Sequence, residues 1–170
     1  MTRYRIDPDR SRVWIEARSN VHPIHSEAGG LSGWLELGEA DGKLTPDPPP
    51  RGRLEFPVEN LTSGNRLEDR ELHRRIDARR FPTITGDLKA MTVADDGSGF
   101  RVAGDLSFRG VTRSYEDAMT GEGLGSDTVT LAGQSTFDIR DFGMEPPRIL
   151  MLKVEPEVTV RVEVVAEEEA

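Results

Sequence analysis

The stretch Phe100–Thr112, FRVAGDLSFRGVT, decides the fold. Within Phe100–Phe108 every second residue is apolar or glycine, which is the period-2 pattern of a strand with one buried face. Arg109-Gly110 breaks the pattern, and glycine readily takes the positive φ that a tight turn requires. A second, polar-rich run follows over Arg113–Thr120, so the stretch predicts a β-hairpin. Gly104 leaves a gap on the inward face, which is compatible with tight packing or with room for a ligand.

The same alternation recurs outward from this hairpin in both directions. Clusters of Gly, Pro, Asp and Asn separate the alternating segments, and such spacing favours an antiparallel barrel or sandwich of about eight strands. The chain is therefore predicted to be mainly β. The other strands are predicted over Tyr4–Ile6, Ser11–Ser19, Leu31–Leu37, Arg53–Val58, Thr83–Val93, Thr128–Ile139 and Arg148–Val165.

Three segments are predicted to lie outside the strands. Val21–Ser26 is interpreted as a polar corner, because a proline within it does not donate to a strand ladder. Asp41–Gly52, with its run of prolines, is interpreted as a surface loop, and Glu167–Ala170 as a solvated tail. Pro156, inside the last predicted strand, indicates a bulge or an edge there.

One segment, Ser63–Arg80, departs from the two-residue period and predicts a helix inserted between strands. Ser63 can cap the start of this helix, and Pro82 follows its end. Arginines four residues apart share a helix face, and guanidinium groups suit a phosphate-bearing head group. The alternative, which we favour, is a solvated face where Glu68, Glu71 and Asp77 pair with the arginines. The arginines concerned are Arg66, Arg70 and Arg74, with Arg75 and Arg79 as a second pair.

The composition of the 170 residues excludes several classes of protein. A net charge of −9 argues against nucleic acid as a partner, because phosphate binding needs a positive surface. The absence of cysteine excludes disulfides, cysteine-ligated zinc and thiol catalysis. No run approaches about 18 apolar residues, so we predict no stable membrane insertion. Residues 1–170 are expected to form one domain, and Met1–Pro8 lacks the apolar core of a secretory signal, which predicts a cytoplasmic location.

Candidate metal ligands lie in the predicted corner. His22 and His25 are three residues apart, with Glu27 nearby, and a carboxylate could complete a metal site with them. The alternative is a polar loop in which the imidazoles cap backbone groups. The sequence has no HExxH, no G-x-S-x-G and no phosphate-binding glycine loop. We therefore expect no metal, no catalytic residue and no enzyme activity, and we keep an enzyme with a site at His22 and His25 as the alternative.

The interior of the predicted barrel is the remaining candidate site. An eight-stranded barrel can be filled by its own side chains or can hold a small ligand. A filled core would favour an interaction module that works through its acidic surface. Periodicity does not distinguish the two. The side chains predicted to face inward include Val13, Ile15, Leu35, Phe56, Val102, Leu106, Phe108, Phe137 and Ile139.

Several motifs occur in order along nearly the whole chain. They are Tyr4–Pro8, Gly30–Gly33, Thr62–Asn65 with Glu68–Leu72, Phe81–Thr85, Gly104–Arg113 and Ile139–Gly143. Taken together, these motifs resemble those of the YceI-like, polyisoprenoid-binding proteins. One departure is Gly86, where the family often has phenylalanine.

This resemblance implies a lipocalin-like antiparallel β-barrel with one helical insertion and an elongated apolar cavity. It implies a non-catalytic binding or carrier protein for a long-chain isoprenoid or similar apolar lipid, quinones included, with no other cofactor. It also allows a homodimer. The residues expected to line the cavity are Leu35, Phe56, Leu72, Val102, Leu106, Phe108, Phe137 and Ile139.

Overall fold

The predicted hairpin lies in the middle of a closed antiparallel barrel. The structure is a computed structural model that describes residues 1–149 and 151–170. Eight strands close the barrel, in the order β1-β4-β7-β8-β9-β10-β11-β13, with β13 returning to β1. The mainly β, lipocalin-like barrel with a single helix that the sequence predicts is therefore confirmed.

The strands and the helix have the following bounds. The strands are β1 (Thr2–Ile6), β2 (Arg12–Ser19), β3 (Ile24–Ala28), β4 (Ser32–Leu37), β5 (Glu39–Ala40), β6 (Lys43–Leu44), β7 (Arg51–Pro57), β8 (Thr83–Val93), β9 (Phe100–Phe108), β10 (Val111–Glu122), β11 (Thr128–Asp138), β12 (Arg148–Ile149) and β13 (Leu152–Glu168). Helix α1 is Arg66–Ile76, and short 3-10 turns cover Val58–Asn60 and Ile139–Phe142.

The β9–β10 hairpin has the geometry that its sequence predicts. Phe108 pairs with Val111, and the two residues between them, Arg109 and Gly110, have φ of 55° and 76°. Positive φ at both positions matches the right-handed twist of the flanking strands, which is why such turns are favoured in hairpins. The pairing then continues without interruption to Phe100 and Met119.

The barrel is closed by the last strand, β13, which pairs with β11 along one edge and with β1 and β2 in turn along the other. Near its end β13 pairs with β1, and over Val154–Glu163 it pairs with β2. Buried Ser11 bridges the break between β1 and β2, because its hydroxyl donates to the Val165 carbonyl at 3.2 Å and accepts from the Val165 N–H at 3.0 Å. The register of β13 on β2 shifts between Val154 and Val158, so the bulge predicted at Pro156 is present.

Four local predictions are corrected by the structure. The predicted corner Val21–Ser26 already contains the start of β3, because the chain resumes pairing with β2 directly after Pro23. The predicted loop Asp41–Gly52 holds β6 and the start of β7. The first two residues of the predicted tail, Glu167 and Glu168, are instead the end of β13, where Glu167 pairs with Thr128. The Glu169 N–H then donates to the Arg3 carbonyl, and the side chains of the segment stay exposed.

The fourth correction concerns the helix, which is shorter than predicted and has a different cap. Asn65, not Ser63, is the N-cap, and its side chain accepts from the N–H groups of Leu67 and Glu68. The helix ends at Asp77, which takes a left-handed conformation with φ of 61°.

Within the predicted strand Arg148–Val165, Leu150 lies outside the described residues.

Candidate functional site

Inward-facing side chains in one half of the barrel are not fully buried. Leu106, Phe137 and Val160 each point to the interior by strand parity, yet each is only partly buried. In a filled barrel these positions would be covered from the opposite wall. Their incomplete burial therefore shows that this half of the interior is empty, and the filled-core interpretation is wrong there.

The empty half consists of two adjoining chambers. The helix-side chamber, of about 280 Å³, is bounded by the inner faces of β2, β7 and β13 and by Leu72 and Ile76 of α1. The far chamber, of about 260 Å³, continues toward Leu35, Met91 and Val164. The residues that line both chambers are Leu54, Gly86, Leu106, Phe137, Val160 and Val162.

Two inward glycines have opposite roles in this space. A Cβ placed on Gly104 would lie 2.4 Å from the Asp87 carbonyl oxygen, so this glycine permits a close approach of two strands. A Cβ on Gly86 would meet no atom within 4 Å. The gap noted at Gly104 in the sequence therefore reflects tight packing, and the room for a ligand comes from Gly86.

The structure places all eight predicted lining residues on the chamber walls. Leu35 and Val102 border the far chamber, while Leu106 and Phe137 border both. The remaining four border the helix-side chamber. They are Phe56, Leu72, Phe108 and Ile139.

Three wall residues on the second strand of the hairpin are not among the residues predicted from the sequence. Tyr115, Asp117 and Met119 share the inward face of β10, as the alternation of half-buried and exposed residues along the strand shows. Extending the period-2 pattern from β9 across the turn would have identified all three. Tyr115 packs edge-on against Phe137, with ring centroids 4.7 Å apart, and burial raises the pKa of its phenol, so it stays a hydrogen-bond donor.

Helix α1 forms a wall of the helix-side chamber and is held in place at its N-terminal end by Asp69. The Asp69 carboxylate accepts from the Ser63 N–H at 2.7 Å, from the Ser63 hydroxyl at 2.7 Å and from the Thr62 hydroxyl at 2.9 Å. Partial burial by itself would raise the pKa of Asp69, but these hydrogen bonds and the nearby His73 outweigh it and lower the pKa. Thr62 in turn pairs with Glu27 of β3. The first turn of the helix is thus tied to the sheet.

The C-terminal end of the helix is held by the hairpin turn. Arg109 donates from Nε to the Arg75 carbonyl at 3.0 Å and from Nη1 to the Gly143 carbonyl at 2.7 Å. Because Arg109 occupies the turn itself, the β9–β10 hairpin positions both the chamber wall and the helix that covers it.

Two arginines in the C-terminal half of α1, Arg74 and Arg75, are engaged in ion pairs. Arg74 and Arg75 both contact Glu71, at 2.8 Å each, and Arg75 also reaches Glu145 at 3.2 Å. Pairing with Arg74 first, and then with Arg75, lowers the pKa of Glu71 against the effect of burial. The pairing at Glu71 agrees with the ion-paired face that we favoured over a phosphate site, whereas Asp77 pairs with Arg80 and, among the described residues, Glu68 forms no ion pair.

The histidine corner does not assemble a metal site within the described part of the chain. His22 Nδ1 lies 2.9 Å from the Pro23 carbonyl, and His25 Nδ1 lies 3.9 Å from a Glu16 carboxylate oxygen, with both side chains exposed. No group of three or more His, Asp or Glu residues among residues 1–149 and 151–170 is placed to hold a metal ion. The same residues contain no helix long and apolar enough to cross a membrane.

The sequence was compared with models of known protein families and with curated proteins. The YceI-like domain model matches residues 4–166 of the chain. No curated protein matches the sequence. The family model therefore covers both chambers and the helix between strands.

Solved structures show the same fold at low sequence identity. BcnA from Burkholderia cenocepacia superposes with a TM-score of 0.78 at 16% identity, covering 94% of this chain and 98% of that chain. A polyisoprenoid binding domain from Saccharophagus degradans, implicated in plant cell wall breakdown, has a TM-score of 0.75 at 13% identity, with 99% and 100% covered. The YceI protein of Campylobacter jejuni has a TM-score of 0.69 at 14% identity, with 86% of each chain covered.

Proposed function

Because this chain belongs to the YceI-like domain family, we propose that it is a non-catalytic carrier of a long-chain isoprenoid or similar apolar lipid. The observation that carries the proposal is the pair of adjoining chambers whose inward apolar side chains remain partly uncovered. An apolar tail placed there would remove these walls from contact with water. The ligand class follows the description of the related domain from Saccharophagus degradans as polyisoprenoid binding.

The energetics favour a tail over a compact polar ligand. Burying roughly 300 Å² of apolar surface contributes on the order of 7 kcal/mol before the cost of association is subtracted. The walls of the helix-side chamber supply aliphatic and aromatic side chains, chiefly valine, isoleucine, leucine and phenylalanine. A flexible hydrocarbon chain can extend through two adjoining apolar chambers, whereas a polar molecule would leave its hydrogen-bonding groups unpaired.

Native mass spectrometry tests the proposal. Protein purified from its own host is expected to carry a species of isoprenoid mass that is released on denaturation, or to take up added farnesol or a prenylated quinone. An apo protein that takes up neither compound would contradict the proposal.

Two tryptophan variants show whether uptake occurs inside the barrel. Leu106→Trp places an indole where the two chambers join and is expected to reduce uptake of farnesol by at least about tenfold. Thr120→Trp, on the exposed outer face of β10, is the matched control and should bind as the wild type does. Equal uptake by both variants would show that the lipid binds elsewhere.

A further inference from the structure

A carboxylate faces the interior of the far chamber. Asp117 lies on β10 between Tyr115 and Met119, on the same inward face, and is half-buried. Its neighbours along the strand, Glu116 and Ala118, are exposed on the opposite face. Across the sheet Asp117 pairs with inward-facing Val102, so an ionisable group stands beside apolar side chains at the middle of the barrel.

One other polar side chain meets this carboxylate. The Ser135 hydroxyl donates to Asp117 Oδ2 at 2.7 Å, and both residues border the far chamber. Within residues 1–149 and 151–170, Ser135 is the one hydrogen-bond partner of the Asp117 side chain, so Oδ1 keeps its capacity to accept. A half-satisfied carboxylate beside an apolar cavity is costly unless a ligand or water completes its hydrogen bonds.

The charged groups around the chamber determine which ligand head group can complete the hydrogen bonds of the Asp117 carboxylate. Among the described residues Arg53 is the one arginine at the chamber wall, and its side chain lies exposed on the outer face of β7, where the Asp87 carboxylate engages the guanidinium at 2.8 and 3.2 Å. No lysine borders either chamber within the described residues. A phosphate head would therefore face the Asp117 negative charge without a free cation to offset it, whereas a hydroxyl would donate to Oδ1.

We propose that the Asp117–Ser135 pair binds the head of the cargo and selects an uncharged hydrogen-bond donor, a prenyl alcohol or a hydroquinone hydroxyl, over a prenyl phosphate. The inference rests on the proposed carrier function and deepens it. The apolar chambers supply affinity for the tail, and the carboxylate supplies discrimination between heads. A site built around a hydrogen-bonded polar group rejects ligands that leave this group unpaired or that repel it.

Three probes with the same fifteen-carbon tail distinguish binding of the tail from selection of the head group. They are farnesol, farnesyl monophosphate and the hydrocarbon farnesene. We expect the wild type to bind farnesol at least about tenfold more tightly than the monophosphate, since a hydrogen bond to a charged group and the removal of repulsion both favour the alcohol. In Asp117→Leu, farnesol should weaken about tenfold while farnesene binds at least as well as before. In Asp117→Asn, which removes the charge, the monophosphate should bind more tightly than it does to the wild type.

Glu116→Gln is the control, because it removes the same charge from the adjacent residue on the outer face. It should leave the order of the three probes unchanged. Equal affinity of the wild type for farnesol and its monophosphate, or an Asp117→Leu variant that binds farnesol as the wild type does, would overturn the assignment of Asp117 while leaving the carrier function intact. If the wild type binds none of the three probes, the carrier function fails and the inference fails with it.

Discussion

The two ends of this barrel are built from the same strands but differ in how their interiors are filled. On β11, Val129 and Leu131 are 0% and 4% exposed, whereas Ser135 and Phe137, a few residues further along, are only partly buried. On β13, Val164 and Ala166 are buried, while Val158 and Val160 are not. One unbroken alternation of inward and outward residues therefore produces a packed end and a cavity end.

The difference comes from what faces each strand across the barrel. At the packed end Tyr4, Leu37 and Phe100 are all buried and fill the space between the walls. At the cavity end Gly86 contributes no side chain, and helix α1 covers the opening without filling it. The packed end thus holds the barrel together by apolar burial, whereas the cavity end depends on polar contacts such as those of Asp69 and Arg109 to keep its wall in place.

A matched pair of leucines should give the largest difference between the two ends. Leu37→Ala at the packed end is expected to cost about 3 kcal/mol of unfolding free energy, because Leu37 is buried, borders neither chamber and would leave a new cavity. Leu106→Ala, which only enlarges an existing cavity, should cost about 1 kcal/mol. Urea unfolding followed by circular dichroism measures both values. Equal costs would mean that the two ends are packed alike in solution.

Alanine substitutions at the two inward glycines, Gly104 and Gly86, should give the next largest difference in stability. Gly104→Ala should destabilise by about 2 kcal/mol, because the new methyl group meets the Asp87 carbonyl and the strands must separate. Gly86→Ala should stay within about 0.5 kcal/mol of the wild type, or stabilise, since the methyl enters open space and alanine restricts the unfolded chain. Thermal denaturation of the two variants checks the order, and a reversed order would contradict the placement of the cavity.

The smallest expected effect concerns the polar contacts that hold the wall of the cavity end. Asp69→Asn should cost about 1 kcal/mol at neutral pH, because the amide keeps fewer of the hydrogen bonds from Ser63 and Thr62. The pKa of Asp69 is lowered in the folded state, so its contribution is complete above the ordinary pKa of an aspartate and is lost as the pH falls through the lowered value. Wild type and variant should therefore converge in stability in acid. A stability difference that grew as the pH fell would contradict this role.

The sequence predicted the strands better than it predicted the interior. Period-2 alternation identified β8 and β9 at their observed bounds, because half-buried strands have to alternate. Alternation along one strand carries no information about how closely the neighbouring strands approach it. The pattern therefore could not show that a side chain would clash at Gly104 but would meet open space at Gly86. That distinction depends on the distance between neighbouring backbones, which only the folded barrel determines.

The candidate site, too, could be predicted only in part from the sequence. The eight predicted lining residues share strand or helix parity and lie on the chamber walls, as period alone can indicate. Asp117 was not among the predicted lining residues, which are all apolar, although its parity with Met119 places it inside. The misassigned cap at Ser63 has a similar cause: several polar residues in Thr62–Asn65 can cap a helix, and tertiary contacts with Asp69 decided between them.

The most direct test of the cavity is to fill it from Gly86, which borders both chambers and has open space around its Cβ position. Titration of farnesol into Gly86→Phe, alongside a thermal melt of the same sample, measures binding and folding together. We expect the variant to melt no lower than the wild type and to bind farnesol at least about tenfold more weakly, because the ring occupies the space of the tail. A variant that folds and binds farnesol as the wild type does would show that the lipid does not occupy these chambers.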